Sequence, residues 1–264
     1  MTFYETGIEN GKTILLLPGT CCNWQVNFGS VIPLLSQEYH VIAVNYDGFD
    51  GTGTEFTTMI EQAGKIEDYI IKEHGGRIGI AYGSSLGGSF VGLLMQRRRI
   101  HMDHGILGSS DLDQSGKVSA WLSTNLMGGA FYGVLKKGTV PGWIWKICEK
   151  KMGKAATENY RSMVSAIGQA MQTVSQKSMK NEFYFDLITP LEDNIKVGGT
   201  QLHVFYALQM GPQYRARYEK HFADPDIIEQ DYGHEELLFS HPELWMDVLR
   251  KCTEQNSYIC REGG

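Results

Sequence analysis

The stretch Gly83-Ser84-Ser85-Leu86-Gly87 constrains this chain more than any other. The apolar run Ile78-Gly79-Ile80-Ala81-Tyr82 leads into it, and Gly88-Ser89-Phe90-Val91-Gly92-Leu93-Leu94-Met95 leads away. That order reads as a buried strand, a very tight turn and a helix packed closely through small residues. Glycines two positions before and after Ser85 let strand and helix approach without side-chain clash, and they single out Ser85 over Ser84 as the apical residue. A serine there sits in strained backbone with its hydroxyl held out over the strand ends. In a chain with 31 glycines the spacing alone is weak. The strand-turn-helix setting is what favours a nucleophilic serine over an ordinary tight turn.

The rest of the chain alternates around this turn. The first residues, through Asn10-Gly11-Lys12, read as an early β-hairpin or edge segment. Thr13 to Leu17 is apolar on both faces, as a central strand of a parallel sheet must be, and it ends at Pro18-Gly19-Thr20-Cys21-Cys22. A helix from Phe28 to Leu35, a strand from Tyr39 to Val44, a Gly/Asp-rich loop from Asn45 to Gly53 and a helix from Met59 to Glu73 follow. Another strand, Gly105 to Gly108, closes at Ser109-Ser110-Asp111-Leu112-Asp113. Strand character then stops: Gln114 to Gly199 reads as helices, around Trp121–Met127, Trp143–Cys148, Tyr160–Val174 and Phe183–Leu191. The sheet resumes at Gln201–Ala207, with a helix at Gln213–Phe222, a strand at Asp226–Gln230, the loop Gly233-His234, and a last helix at Pro242–Cys252. The final dozen residues are polar and read as a frayed end. The pattern predicts an α/β fold, a doubly wound, mostly parallel sheet with an inserted all-helical cap. The core covers residues 1–111 and 200–264, and the cap residues 112–199. An insertion so rich in Trp, Tyr and Met is too apolar for a linker.

Composition narrows the partners. At 264 residues, 42% apolar and 20% charged, with net charge -6, the chain is an ordinary globular protein with no basic surface for nucleic acid. Arg97-Arg98-Arg99, the one dense basic run, falls at a helix end and reads as solvated. No run approaches a membrane span. Five cysteines without an N-terminal apolar segment point to a reducing cytoplasm. Cys21-Cys22 lacks the spacing of a metal or redox site, and no metal or cofactor is expected.

A serine hydroxyl needs a base to take its proton during attack. Of eight histidines, His234 is best placed, following the last strand in a loop that can lean toward the turn. His221 and His241 read as structural, and His101 and His104 as packing or surface residues. Attack on an acyl carbon also creates an oxyanion that needs two preorganised N–H donors. The backbone N–H of Leu86, at a helix start just past Ser85, supplies one. Thr20, in the loop after the first central strand, is the natural second.

Together, Leu15-Leu16-Leu17-Pro18-Gly19-Thr20, Asn45-Tyr46-Asp47-Gly48, Gly83-Ser84-Ser85-Leu86-Gly87 and Gly233-His234 resemble, in order and spacing, the α/β-hydrolase superfamily across essentially the whole chain. The resemblance implies a Ser…acid…His order with Ser85 and His234 in the outer roles. Two departures stand out. Pro18 replaces the histidine that often precedes the oxyanion-loop glycine. The strand ending at Tyr206-Ala207 is followed by Leu208-Gln209-Met210-Gly211-Pro212, with no carboxylate where the acid usually lies. Some members take the acid from the end of the preceding strand, which makes Asp111 the first candidate and Asp113 the second. The alternative for Asp111 is an N-cap of the first cap helix. Asp47 and Asp50 read as loop geometry. The resulting expectation is a serine hydrolase of small or medium carboxylic esters, with thioester and amide as variants. Trp121, Phe131, Tyr132, Trp143, Trp145, Met163 and Met171 suggest a substrate with an apolar or aromatic portion, unless they form only the cap's own core. A degenerate small-molecule-binding protein, or a lyase or acyltransferase on the same residues, are the competing readings.

Overall fold

The computed structural model describes residues 1–254, the side chains at positions 127, 130, 152, 155 and 156 excepted. The chain begins with β1 (Thr2–Thr6), β2 (Thr13–Leu17), α1 (Trp24–Phe28), α2 (Ile32–Leu35), β3 (His40–Asn45) and α3 (Met59–His74). Next come β4 (Arg77–Ser84), α4 (Leu86–Arg97) and β5 (His101–Gly108). Four helices follow without a strand: α5 (Lys117–Lys137), α6 (Gly142–Met152), α7 (Lys154–Ala170) and α8 (Gln176–Ile188). The chain closes with β6 (Gln201–Ala207), α9 (Gln213–His221), β7 (Asp226–Gln230), α10 (Glu236–Ser240) and α11 (Pro242–Glu254). The last ten residues, most of the stretch read as a frayed end, lie outside the described residues.

Seven strands form one sheet in the order β1-β3-β2-β4-β5-β6-β7. All neighbours are parallel except β1, which runs antiparallel to β3. The first strand is therefore an edge strand of the main sheet and makes no hairpin with β2. Alternate residues feed two separate cores. Leu15, Leu17, Ile42, Val44 and Ala81 pack against Ile66 of α3 and Phe90 and Leu94 of α4. Ile14, Leu16, Val41, Ala43 and Tyr82 pack against Phe28, Leu35, Trp245 and Leu249 on the other face. Helices on both faces explain why the central strands are continuously apolar. Trp245 meets Tyr82 edge-on, with ring centroids 4.9 Å apart.

Three local expectations change. The helix expected over Phe28–Leu35 is two short ones, broken at Gly29-Ser30, and Pro33 opens the second. Strand β5 starts at His101 instead of Gly105. Its polar first half hid it, because the ring of His104 joins His203 (Nδ1 to Nε2, 3.1 Å) and His203 joins Asp226 (2.8 Å) across neighbouring strands. Nor is the basic run simply solvated, since Arg97 and Arg99 both grip the buried carboxylate of Glu67 on α3. Among the described residues no helix is long and apolar enough to cross a membrane.

Of the four inserted helices, α7 lies against α1 and α10 and α8 against α3, while α5 and α6 pack on α8 and α7. Helix α8 reaches the loop after the carboxyl end of β2 through Glu182 and Cys21. Parallel sheets of this kind bind ligands at the carboxyl ends of their strands. A depression of about 480 Å³ lies at the opposite ends, around Thr13, Gly79 and His104, far from the Ser85 turn.

Candidate active site

Ser85 stands between β4 and α4 with φ 50° and ψ −113°, a region that costs a non-glycine residue about 1–3 kcal/mol. The glycines around it are obligatory. A Cβ on Gly83 would strike the Gly87 backbone, and one on Gly87 would strike the Leu17 carbonyl. The strained turn is held from several sides. The Ser85 N–H donates to the Gly108 carbonyl (2.7 Å) and also faces Glu235 Oε1 (3.1 Å). The Ser110 hydroxyl donates to the Ser85 carbonyl, and Tyr218 in turn donates to the carbonyl of Ser110. Ser85 itself stays partly exposed while Ser84 is buried.

The loop carrying Thr20 lies directly against this turn. A Cβ on Gly19 would sit 3.4 Å from the Cβ of Ser85. The bracing that a histidine before the glycine often gives is supplied here by other residues. Gly19 N–H donates to Asn27 Oδ1 (2.5 Å), Asn27 Nδ2 donates to Ser84 Oγ (3.0 Å), and the Tyr46 hydroxyl donates to the Pro18 carbonyl (3.1 Å). Cys21 N–H donates to Glu182 Oε2 (2.8 Å). Between these tethers, the Thr20 N–H has no acceptor among the described residues, and neither has the Leu86 N–H at the start of α4. Both are free to receive an oxygen.

His234 occupies the turn between β7 and α10. Its carbonyl accepts from the Tyr160 hydroxyl of α7 (3.0 Å). The next residue, Glu235, has left-handed backbone (φ 57°) and sends its side chain beneath the elbow to the Ser85 N–H. Its own N–H donates to Ser109 Oγ (3.1 Å). Burial pushes the Glu235 carboxyl up to about 8, against the pull of Ser84 and the Ser85 N–H. The His234 residue is exposed on its outer side. Protein packed along the inner side pushes its pKa below the ordinary histidine value, and Asp111 pulls the other way. No hydrogen bond joins the imidazole to the Ser85 hydroxyl or to Asp111 among the described contacts.

Asp111 is the one carboxylate whose charge acts on His234. Burial and the neighbouring Asp113 raise its own pKa, while the Asp113 N–H, His234 and Arg217 lower it. Its Oδ1 accepts the Asp113 N–H (3.3 Å) within a turn. It does not cap a helix, because α5 starts six residues later with Gly116 as its N-cap. Asp113 is engaged by Arg217. After β6, Leu208–Met210 forms a single 3₁₀ turn bearing no carboxylate. Asp47 is fixed by Gln62 (2.9 Å) and Lys65 (2.5 Å), and Asp50 by Thr52 (2.8 Å), so both are loop and anchor residues.

Helix α8 roofs this assembly with acid. Glu182 and Asp186, one turn apart, face the Thr20 loop and α4. Glu182 is fully buried and its second oxygen, Oε1, has no partner among the described residues. Burial drives its pKa well upward despite the Cys21 N–H. Asp186 is pushed up to about 8 by burial and by Asp111, while Ser89 of α4 pulls the other way. A void of about 10 Å³ beside Asp186 and Ser89 has room for roughly one water. The aromatic residues expected to line a pocket are dispersed. Trp121 and Trp143 are 59% and 64% exposed on the outer surface. Trp145 and Met171 are buried, and the Tyr132 hydroxyl is tied to Val174 (2.8 Å). Sequence reasoning missed Asn27, Glu182, Asp186 and Glu235. Only the acids four apart on an otherwise aromatic helical stretch left a readable trace.

No protein-family model and no curated protein sequence matches the chain. Solved structures do. An α/β hydrolase family protein from Desulfitobacterium hafniense superposes with TM-score 0.73 at 20% identity, covering 95% of this chain and 99% of that one. A thermophilic esterase from Thermogutta terrifontis gives 0.68 at 17% identity over 96% and 93%. The enol-lactonase from Burkholderia xenovorans LB400 gives 0.65 at 15% over 94% and 95%. With the strand order, the strained serine turn and the helical insertion after β5, these likenesses settle the architecture: the chain has the α/β-hydrolase fold.

Proposed function

We propose that this protein is a serine hydrolase of carboxylic esters, acting through an acyl-enzyme on Ser85. The observation that carries the reading is the Ser85 backbone, strained to φ 50° at the carboxyl end of a central strand and tied at its N–H to the residue after His234. Strain of this kind persists only where surrounding structure enforces it, and it concentrates at functional sites.

In this reading His234 takes the Ser85 proton as the hydroxyl oxygen attacks the ester carbonyl, and the Thr20 and Leu86 N–H groups receive the oxyanion. The imidazolium then gives its proton to the departing alcohol. Water, deprotonated by the same ring, releases the acid and restores Ser85. Asp111 stabilises the imidazolium and orients the ring, through a contact formed during turnover. Among the described residues Cys21, Cys22, Cys148 and Cys252 are free thiols, which suits a reducing cytoplasm. The substrate is a small molecule.

An active-site-directed fluorophosphonate tests this. One equivalent is expected on Ser85, with none on the Ser85→Ala variant. Absence of labelling, with tight binding of a small ligand, gives the receptor reading instead. Labelling with negligible ester turnover but fast reaction with another acceptor gives the acyltransferase one.

A further inference from the structure

Glu182, like Glu235, is a buried acid with one oxygen unpartnered among the described residues. It is fully buried, one oxygen takes the Cys21 N–H, and the other has no donor among the described residues. A buried polar atom without a partner is expensive and marks a place where a partner is missing. Asp186 lies one turn along the same helix, and Asp111 acts on Asp186 in turn. Arg217, the cation that acts on Asp111, is already engaged by Asp113.

Both acids reach elements that flank the nucleophile. Glu182 accepts the Cys21 N–H, two positions from the Gly19 that packs near Ser85, and Asp186 lines a small void with Ser89, one turn along α4 from Ser85. We propose that this pair is a seat for an ammonium group on the acyl side of the substrate, so that the esters turned over are those of amino acids. The assignment rests on Ser85 being the acylated residue. An ammonium brings three donors and a positive charge, matching Glu182 Oε1 and the Asp186 carboxyl together. A hydroxyl at the same position satisfies only one oxygen, a methyl neither, and a carboxylate is repelled. The substrate chemistry thus differs from the apolar acyl group that the insertion's aromatic content suggests.

Three 7-hydroxy-4-methylcoumarin esters separate these cases, since L-alanyl, L-lactyl and isobutyryl groups differ only in ammonium, hydroxyl or methyl beside the carbonyl. After correction for spontaneous hydrolysis, kcat/KM for the alanyl ester is expected to exceed that of the isobutyryl ester by at least about tenfold. Glu182→Gln and Asp186→Asn each remove most of that preference, read as the ratio of alanyl to isobutyryl kcat/KM within each variant so that a general loss of activity cancels. A lactyl preference, or equal rates for all three with Ser85 labelled, overturns the ammonium seat and leaves the hydrolase reading standing. If Ser85 is not labelled, calorimetry on the Ser85→Ala protein decides. Binding of L-alaninamide at least about tenfold tighter than lactamide or isobutyramide upholds the seat, although esters are then not its substrates. Equal binding of the three amides overturns it.

Discussion

Two buried glutamates of this molecule have opposite circumstances. Glu67 on α3 and Glu182 on α8 are both fully excluded from solvent. Glu67 is enclosed by Arg97 through two bonds (2.7 and 2.8 Å) and by Arg99 (2.8 Å), so its charge is matched within the fold. Glu182 has one backbone N–H and, among the described residues, no cation. The first binds α3 to the end of α4. The second is tied to the Cys21 loop and leaves one oxygen without a partner among the described residues. Burial alone therefore says little about an acid's role; what decides is whether the fold supplies the counter-charge.

The comparison can be pressed by mutation. The largest effect is expected at Asp111, an unmatched acid that acts on His234. Asp111→Asn should lower kcat by up to about 10⁴-fold, whereas Asp113→Asn, losing only an ion pair with Arg217, should change it little. Steady-state kinetics on both variants checks this, and parity between them removes Asp111 from the mechanism. Next comes the matched acid. Arg97→Leu should cost about 2–3 kcal/mol in denaturant titration, somewhat below the usual 3–5 kcal/mol for halving a buried pair because Arg99 remains. Glu182→Gln, which keeps an acceptor for the Cys21 N–H, should shift stability by less than about 1 kcal/mol at neutral pH. A loss as large as that of Arg97→Leu would show that Glu182 is a structural acid after all.

Two pH effects follow. Glu235 has a folded pKa of about 8 against an ordinary value of 4.5. Between those values the folded state holds a proton that the unfolded state has released, so this residue lowers stability as pH rises from about 5 to 8. Glu235→Gln should flatten that decline in melting temperature, and an unchanged slope would assign the decline to the other acids that burial raises, Glu182 and Asp186. The smallest effect concerns His234, which is lowered from 6.5. The acid limb of kcat/KM should fall below that value, and Asp111→Asn should move the limb lower still by removing the charge that raises it.

What could be read from the sequence was what is encoded locally. The β2, β6 and β7 boundaries and the Ser85 turn follow from apolar runs and glycines that act over a few residues. Signals that depend on distant partners were silent. Glu182 meets Cys21 across 161 positions and Glu235 meets Ser85 across 150, so Glu235 looked like a solvated acid, and the spacing of Glu182 and Asp186 marked a helix face without marking burial. Asn27 reads as an ordinary helix residue until Gly19 and Ser84 are seen on either side of its amide. The first half of β5 was hidden for a related reason, since His104 is accommodated by a histidine 99 positions away.

The Cys21–Glu182 bond joins a late helix to an early loop, and that link has a mechanical implication. In the proposed mechanism the loop held by that bond carries the Thr20 amide, so a change in where α8 sits would be felt at an oxyanion donor as well as at the acid.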